Sequence, residues 1–154
     1  SVLLDQTLPQ GRVAVIGSGM TGLETAELLA LKGCTVTLVE MLDALGGGVY
    51  PTVLSDIMGR ILPLGTQVLL EHRLYAIEEK EVDLLRLTDD QHVRLAADWV
   101  VIAVGVTPRR TLAEACSKRF KNLYVIGDAA RPGRIMEAMR DAQAKAFVFE
   151  TNPI

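Results

Sequence analysis

The sequence has few cysteines: Cys34 and Cys116 are the two among 154 residues, and they form no C-x-x-C pair. This excludes a disulfide-stapled scaffold and argues against a redox-active dithiol. Unpaired cysteines fit a reducing compartment, so we expect a cytoplasmic protein. The chain begins at Ser1 without an initiator Met, from which we expect a piece excised from a longer chain.

The sequence also lacks a surplus of positive charge and a long apolar run. Its formal net charge is −3, and acidic and basic residues are interspersed. This excludes a basic stripe for nucleic acid and a polybasic membrane patch. The longest apolar run, near Trp99–Val104, is far shorter than the roughly 20 residues that a membrane helix needs. We therefore expect neither nucleic acid nor a membrane among the partners.

The segment from residue 12 to residue 40 has the pattern of one βαβ unit. Arg12–Ile16 is a short run rich in β-branched residues, residues 20–32 carry apolar side chains at helical spacing, and Cys34–Val39 is again strand-like. Strands joined in this way are parallel, and the helical crossover is almost always right-handed.

The rest of the chain extends this unit. Three closely spaced apolar runs leave no room for helices between them and indicate an antiparallel meander. The predicted elements are, in order, a helix (51–62), a third strand (67–70), the meander (74–77, 82–87 and 92–95), a buried strand (99–104), a short helix (111–118), a last strand (123–126) and a closing helix (135–149).

This order of elements predicts an α/β fold: a Rossmann-like parallel sheet with helices on both faces and an antiparallel β-meander crossover. We expect residues 1–108 to form the nucleotide-binding domain. We expect residues 109–154 to form a C-terminal segment packed on the same domain.

A glycine fingerprint lies at the turn between the first strand and the first helix. Gly17–Gly22 reads GSGMTG, which matches G-x-G-x-x-G. Glu40 ends the second strand at 40 − 22 = 18 residues beyond Gly22, close to the roughly 20 expected of a dinucleotide-binding unit. A structural glycine turn without a ligand is the alternative, and the complete context favours the binding site.

Each residue of the fingerprint has a physical task. Gly17 permits the tight turn, Gly19 lets a pyrophosphate approach the backbone, and Gly22 allows close packing of helix and strand. The helix start, with the loop residues Ser18, Met20 and Thr21, offers unpaired N–H groups and partial positive charge to the anion.

Glu40 is predicted to select the nucleotide. Its carboxylate can accept hydrogen bonds from ribose hydroxyls and would repel a 2′-phosphate, and residues 41–43 (Met-Leu-Asp) supply no arginine. The sequence therefore favours NAD(H) over NADP(H). Gly46–Gly48 is predicted to be a flexible loop rather than a phosphate cradle.

Three segments together resemble the pyridine nucleotide–disulfide oxidoreductase superfamily. Val13–Glu27 (VAVIGSGMTGLETAE) resembles the start of its NAD(H)-binding domain, Ile102–Pro108 resembles its A-T-G-x-x-P segment, and Leu123–Asp128 resembles its flavin-binding G-D motif. With Pro132–Ala138, the chain is most similar to the C-terminal region of NADH:flavin oxidoreductases of the 2,4-dienoyl-CoA reductase type.

The resemblance implies a cofactor relay. In that family NAD(P)H reduces FAD, and electrons pass on to an iron–sulfur cluster and FMN. It implies that Glu24 lies near the nicotinamide, that Gly105 approaches the nucleotide, and that Gly127 and Asp128 contact the flavin. The intact enzyme would thus be an NADH:flavin oxidoreductase whose FAD binds with the help of this chain.

The sequence departs from the family in what it lacks. The first flavin-binding half, the iron–sulfur cysteines and the FMN barrel are absent, and Lys118 stands where the flavin motif often has Thr. We therefore expect the missing flavin half and an upstream catalytic domain as partners. The isolated chain should bind NAD(H), hold FAD poorly or not at all, and be inactive alone.

No residue is predicted to be a catalytic acid, base or nucleophile, and no spacing indicates a metal site. Two other functions remain open at this point. A non-enzymatic NAD(H) sensor would use the same fingerprint. An S-adenosylmethionine methyltransferase also combines a glycine turn with an acidic residue after the second strand, although the meander argues against it.

Overall fold

The computed structural model describes residues 2–4 and 8–149. Strands and helices alternate in the first part of the chain, a run of strands follows, and two helices come last. They are β1 (Arg12–Ile16), α1 (Met20–Leu31), β2 (Thr35–Val39), α2 (Pro51–Ile61), β3 (Gln67–Leu69), β4 (His72–Ile77), β5 (Glu81–Arg86), β6 (Gln91–Ala96), β7 (Trp99–Ile102), α3 (Thr111–Ser117) and α4 (Ile135–Phe149).

Four parallel strands form the main sheet, in the order β3-β2-β1-β7. In register, Ile16 pairs with Val39 on one side and with Ile102 on the other. Apart from the first residue of each strand, the residues of β1 and β2 are buried, as expected of a parallel sheet covered from both sides. This confirms the α/β fold class and the βαβ unit predicted from the sequence.

Different elements cover the two faces of this sheet. On one face, α1 and α2 pack on β1 and β2 through a core that includes Val15, Leu29, Leu38 and Ile61. On the other face, the three-stranded antiparallel sheet β4-β5-β6 contributes buried side chains, Val82 and Leu84 among them. The sequence predicts helices on both faces; in this part of the molecule the meander takes the place of the second helical layer.

The last strand of the main sheet is more exposed than its sequence predicts. β7 ends at Ile102 and, in the part of the chain that the structure describes, pairs with β1 alone, so it forms the edge of the sheet there. Trp99, Ile102 and Val104 are 44%, 53% and 70% exposed. The run was predicted to be a buried strand through residue 104. The prediction fails because this edge has no further strand against it within the described residues.

The chain divides into two compact units, Ser1–Gly105 and Val106–Ile154. The second contains α3, a 3-10 turn at Gly127–Ala129 and α4. The strand predicted at 123–126 is absent there. A β-strand needs a neighbour for its backbone hydrogen bonds, and this apolar segment has none in the described part of the unit.

Helix α4 forms over the predicted residues. The spacing of its apolar residues predicts a packing stripe of Ile135, Met139, Ala142, Ala146 and Phe149, of which the first two are exposed and Ala142 is half-buried. Ile135 is 85% exposed and Met139 is 65% exposed. Ala146 and Phe149, the other end of that stripe, have side chains outside the described residues. No helix within 2–4 and 8–149 has both the length and the apolar content to cross a membrane.

Candidate functional site

The candidate site lies at the carboxyl edge of the main sheet, where β1, β2 and β7 end side by side. The Gly17 N–H donates to the Val39 carbonyl at 2.8 Å, and the Ala103 N–H donates to the Ile16 carbonyl at 2.8 Å. These hydrogen bonds bring three parts of the chain close together: the glycine turn, the end of β2 just before Glu40, and the segment after β7. In open parallel sheets, ligands bind at such an edge.

Gly17 and Gly22 are positions that only glycine fits. Gly17 has φ +100°, and a Cβ there would lie 2.5 Å from the Ala103 carbonyl oxygen. A Cβ on Gly22 would lie 1.9 Å from the Gly17 carbonyl oxygen. Both distances are far inside van der Waals contact with backbone atoms, so these glycines let helix α1 approach the sheet closely.

Gly19 differs from these two glycines, because the space beside it is open. Its φ of −63° and ψ of 177° suit any residue, and a Cβ there would meet nothing within 4 Å. Gly19 is the N-cap of α1 and provides no side-chain cap. The first N–H groups of the helix, at Met20, Thr21 and Gly22, therefore face a space that an anion can enter.

Glu40 is held against this turn rather than extended into solvent. Its Oε2 accepts hydrogen bonds from the Ser18 N–H at 2.9 Å and from the Ser18 hydroxyl at 2.6 Å, and its Oε1 accepts one from the Leu42 N–H at 3.0 Å. The side chain is buried, with 8% of the residue exposed. The acidic residue and the glycine turn are thus one connected structure.

These contacts keep Glu40 ionised. Burial by itself raises the pKa of the Glu40 carboxyl, but the hydrogen bonds from Ser18 and Leu42 outweigh it, and the pKa lies below its usual range. At neutral pH the site therefore presents a fixed negative charge beside the positive end of helix α1.

The loop after β2 takes part in the same arrangement. The Gly46 N–H donates to the Ser18 hydroxyl oxygen at 3.0 Å, and Gly46 is buried with φ +71°. The sequence predicts only a flexible loop here. A contact between residues 28 positions apart has no local signal, so sequence reasoning missed both Gly46 and the role of the Ser18 side chain.

Other predicted site residues of the first unit lie near the turn or at its margin. Met20, Thr21 and Glu24 are exposed on the first turns of α1. Thr21 and Ala103 also line a groove of about 390 Å³ that runs between α1 and β7. Gly105 has φ +99°, and a Cβ there would meet nothing within 4 Å.

Gly127 and Asp128 belong to the second unit. Gly127 has φ +60°, and Asp128 Oδ1 accepts a hydrogen bond from the Gly133 N–H at 3.1 Å. Asp128 thereby closes the turn that precedes α4, the local role that aspartate commonly takes in turns. Within the described residues, no three His, Cys, Asp or Glu side chains are grouped as metal ligands.

The fold and the glycine turn define a Rossmann-like domain, and comparison with known proteins identifies its family. The family model for pyridine nucleotide-disulphide oxidoreductases matches residues 2–146. The chain therefore belongs to the pyridine nucleotide-disulphide oxidoreductase family, which confirms the resemblance seen in the sequence.

Curated relatives are much longer than this chain. Bilirubin reductase of Mediterraneibacter gnavus (strain CC55_001C) is 35% identical over 148 residues, which cover 96% of this chain and 23% of the relative. NADH oxidase of Thermoanaerobacter brockii is 33% identical over 128 residues, 82% of this chain and 20% of the relative. The chain thus spans about a fifth of the length of these enzymes.

A solved structure supports the fold. Histamine dehydrogenase from Rhizobium sp. 4-9 superposes with a TM-score of 0.77 at 23% sequence identity, over 94% of this chain and 24% of that one. At this level of identity the likeness concerns the fold alone. It agrees with the mixed arrangement of a four-stranded parallel sheet and a three-stranded antiparallel sheet.

Proposed function

We propose that this chain is the NAD(H)-binding domain of an FAD-dependent NADH:flavin oxidoreductase. The observation that carries the proposal is the open space beside Gly19, at the N-terminus of α1 and next to the ionised Glu40. When bound, the nicotinamide nucleotide would supply the hydride that reduces the flavin of the intact enzyme. The chain itself binds and orients the nucleotide.

Different residues at the turn would bind different parts of the nucleotide. The pyrophosphate lies against Gly19 and accepts hydrogen bonds from the N–H groups of Met20, Thr21 and Gly22. Ribose hydroxyls donate to the carboxylate of Glu40. All of these contacts come from backbone amides and one carboxylate. Hydride transfer from the nicotinamide to a flavin is carried by the cofactors, so it needs no catalytic acid or base from this domain.

NAD(H) is the proposed nucleotide rather than NADP(H). The Glu40 carboxylate is negatively charged and would repel a 2′-phosphate, and residues 41–43 provide no arginine in compensation. Two sets of relatives carry NAD in their names: an NADH oxidase from Thermoanaerobacter brockii and nitric oxide reductase FlRd-NAD(+) reductases from Escherichia coli strains.

The remaining assignments follow from family membership and need the rest of the enzyme. We assign Glu24 and Gly105 to the nicotinamide side of the site, and Gly127 and Asp128 to contact with FAD. The missing flavin half and an upstream domain are the proposed partners, in the cytoplasm. Without them the chain holds FAD poorly and has no oxidoreductase activity alone.

The family match favours this function over the alternatives. A methyltransferase is not expected within a family of pyridine nucleotide-disulphide oxidoreductases. A sensor would bind NAD(H) through the same residues, but the relatives named above are called reductases and oxidases. We therefore place the chain in an enzyme.

The test is a titration of the purified 154-residue chain with NADH, followed by nucleotide fluorescence or calorimetry. We expect saturable binding, and Gly19→Ala should weaken it by about tenfold or more because one methyl group fills the space of the pyrophosphate. Gly59→Ala is the matched control: its Cβ would also meet nothing within 4 Å, but it lies in α2.

The outcomes separate clearly. Binding by the unaltered chain and by Gly59→Ala, with a loss in Gly19→Ala, supports the proposed site. No binding at millimolar NADH overturns the function, and equal binding by Gly19→Ala moves the nucleotide away from this turn. Gly19 is the N-cap of α1, where alanine is less favourable than glycine, so Gly19→Ala should unfold at a slightly lower urea concentration than the unaltered chain. Urea unfolding therefore checks that the variant is folded under the conditions of the titration.

A further inference from the structure

The hydroxyl group of Ser18 connects three separate segments of the chain. Ser18 is completely buried. Its Oγ donates to Glu40 Oε2 at 2.6 Å and accepts from the Gly46 N–H at 3.0 Å. The glycine turn, the end of β2 and the loop after β2 are therefore joined at a single atom.

The direction of these hydrogen bonds is determined by chemistry. The Gly46 N–H can only donate, so the hydroxyl oxygen accepts from it and its own proton goes to the carboxylate. The Ser18 N–H also donates to Oε2, while the Leu42 N–H donates to Oε1. Glu40 is thereby fixed in position from both of its oxygens, before any nucleotide arrives.

Resting on the proposed function, we infer that Ser18 is a positioning residue that sets the nucleotide preference of the site. Its hydroxyl holds the Glu40 carboxylate in one orientation beside the turn. A fixed carboxylate accepts from a free ribose 2′-hydroxyl and repels a 2′-phosphate. Without the hydroxyl, only backbone N–H groups, including those of Ser18 and Leu42, hold the carboxylate, which then turns or takes up a proton more readily. The discrimination between NADH and NADPH decreases as a result.

The ionisation of Glu40 provides a second readout. Of the hydrogen bonds that lower the pKa of Glu40, the one from the Ser18 side chain lowers it most. Removing it raises the pKa, so the carboxylate is protonated at a higher pH and NADH binding is lost earlier on acidification. Ionisable side chains on neighbouring segments are Asp43 after β2, Glu71 and His72 near the start of β4, and Glu24 on α1.

These neighbours are the same in the unaltered chain and in a Ser18 variant. The difference between the two pH midpoints therefore reports the lost hydroxyl rather than these neighbours. If the role of Ser18 were purely structural, Ser18→Ala would lower stability and weaken the binding of NADH and NADPH equally. It would leave their ratio and the pH midpoint unchanged.

The experiment measures NADH and NADPH dissociation constants of the full chain between pH 4 and pH 8, for Ser18→Ala and for a control. Thr66→Val is the control because Thr66 is also buried, with 6% exposed, and its hydroxyl is among the described side-chain atoms without a hydrogen-bond partner. Both substitutions remove one buried hydroxyl group, and only Ser18→Ala removes it from Glu40.

We expect Ser18→Ala to reduce the preference for NADH over NADPH by about tenfold and to move the pH midpoint of NADH binding upward. Thr66→Val should match the unaltered chain in both. If Ser18→Ala does not fold, Ser18→Gly removes the same hydroxyl with less bulk. Circular dichroism identifies which variant is folded.

The inference and the proposed function can fail separately. If the unaltered chain binds NADH but Ser18→Ala keeps its nucleotide ratio and pH midpoint, the role of Ser18 is overturned and the function stands. If the unaltered chain binds neither nucleotide, both are overturned. A loss of affinity that is equal for NADH and NADPH, with no pH shift, also overturns the role of Ser18.

Discussion

At the residue scale, the three glycines of the motif have different structural roles. Gly17 and Gly22 lie against backbone carbonyl oxygens, so a side chain at either would displace the main chain. Gly19 has an ordinary backbone conformation and open space beside it. Two glycines are therefore required by the fold, while the third fits the pyrophosphate that we propose beside it.

This difference predicts the stability of single variants. Gly22→Ala should destabilise the chain by about 3 kcal/mol, at the upper end of overpacking costs, because its methyl group would meet the rigid carbonyl of Gly17. Gly59→Ala should stabilise it by about 1 kcal/mol, since alanine is the better helix former in the exposed interior of α2. Urea unfolding measures both.

A Gly22→Ala midpoint equal to that of the unaltered chain would show that α1 can move away from the turn. Nucleotide binding by the same variant is informative as well. Because the clash displaces the start of α1, the N–H groups proposed to bind the pyrophosphate shift with it. Affinity for NADH should fall together with stability.

At the scale of elements, one ion pair joins the beginnings of two neighbouring strands. The Arg12 guanidinium at the start of β1 and the backbone N–H of Arg12 both donate to the carboxylate of Asp98, just before β7. In return, the Asp98 N–H donates to the Arg12 carbonyl at 2.9 Å. These bonds fix β7 at the edge of the sheet, where it has β1 as its neighbour.

The pH dependence of stability should reveal this contact. Hydrogen bonds from the Arg12 side chain and backbone hold the pKa of Asp98 well below its usual range. The stabilisation is therefore complete above the unfolded pKa of about 3.9 and is lost as the pH falls below it. Asp98→Asn should be less stable than the unaltered chain at pH 7, and the difference should shrink towards pH 2.

Asp90→Asn serves as the control for this measurement. Asp90 is exposed in the turn between β5 and β6, and its left-handed backbone, with φ +54°, is tolerated by asparagine. Its unfolding midpoint in urea should match the unaltered chain at every pH. A difference for Asp98→Asn that persists unchanged at low pH would contradict an ionic origin.

At the scale of the whole molecule, the two units differ in how they bury apolar surface. The first has a core on both faces of its parallel sheet. In the second, none of the described side chains is buried, and Leu112 and Ile135 are 76% and 85% exposed. Apolar burial is the main source of folding free energy, so the units should differ in stability.

Native-state hydrogen exchange should show this difference directly. Amides of β1, β2 and α1 should exchange only on global unfolding, while those of α3 and α4 should exchange several orders of magnitude faster. Equal protection of α4 and β1, measured peptide by peptide with mass spectrometry, would contradict the expectation. Slow exchange in β7 alone would show instead that its edge is covered.

The amino-acid sequence determined the parts of this protein that depend on local patterns. The strand, turn and helix at 12–31 have the predicted bounds within a residue because apolar spacing, the glycines and β-branched residues act over a few positions. The position of Glu40 at the end of β2, beside the glycine turn, was predictable because a βαβ unit has a nearly fixed length. The meander followed from three runs too close together to hold helices between them.

The tertiary structure decided what depends on distant neighbours. Ser18 and Gly46 meet across 28 positions, and β7 is exposed because no strand covers its outer edge within the described residues. The apolar run at 123–126 is not a strand, since its pattern specifies a tendency to pair but supplies no partner. Local chemistry fixes which segments can form, whereas long-range contacts fix what each segment is packed against.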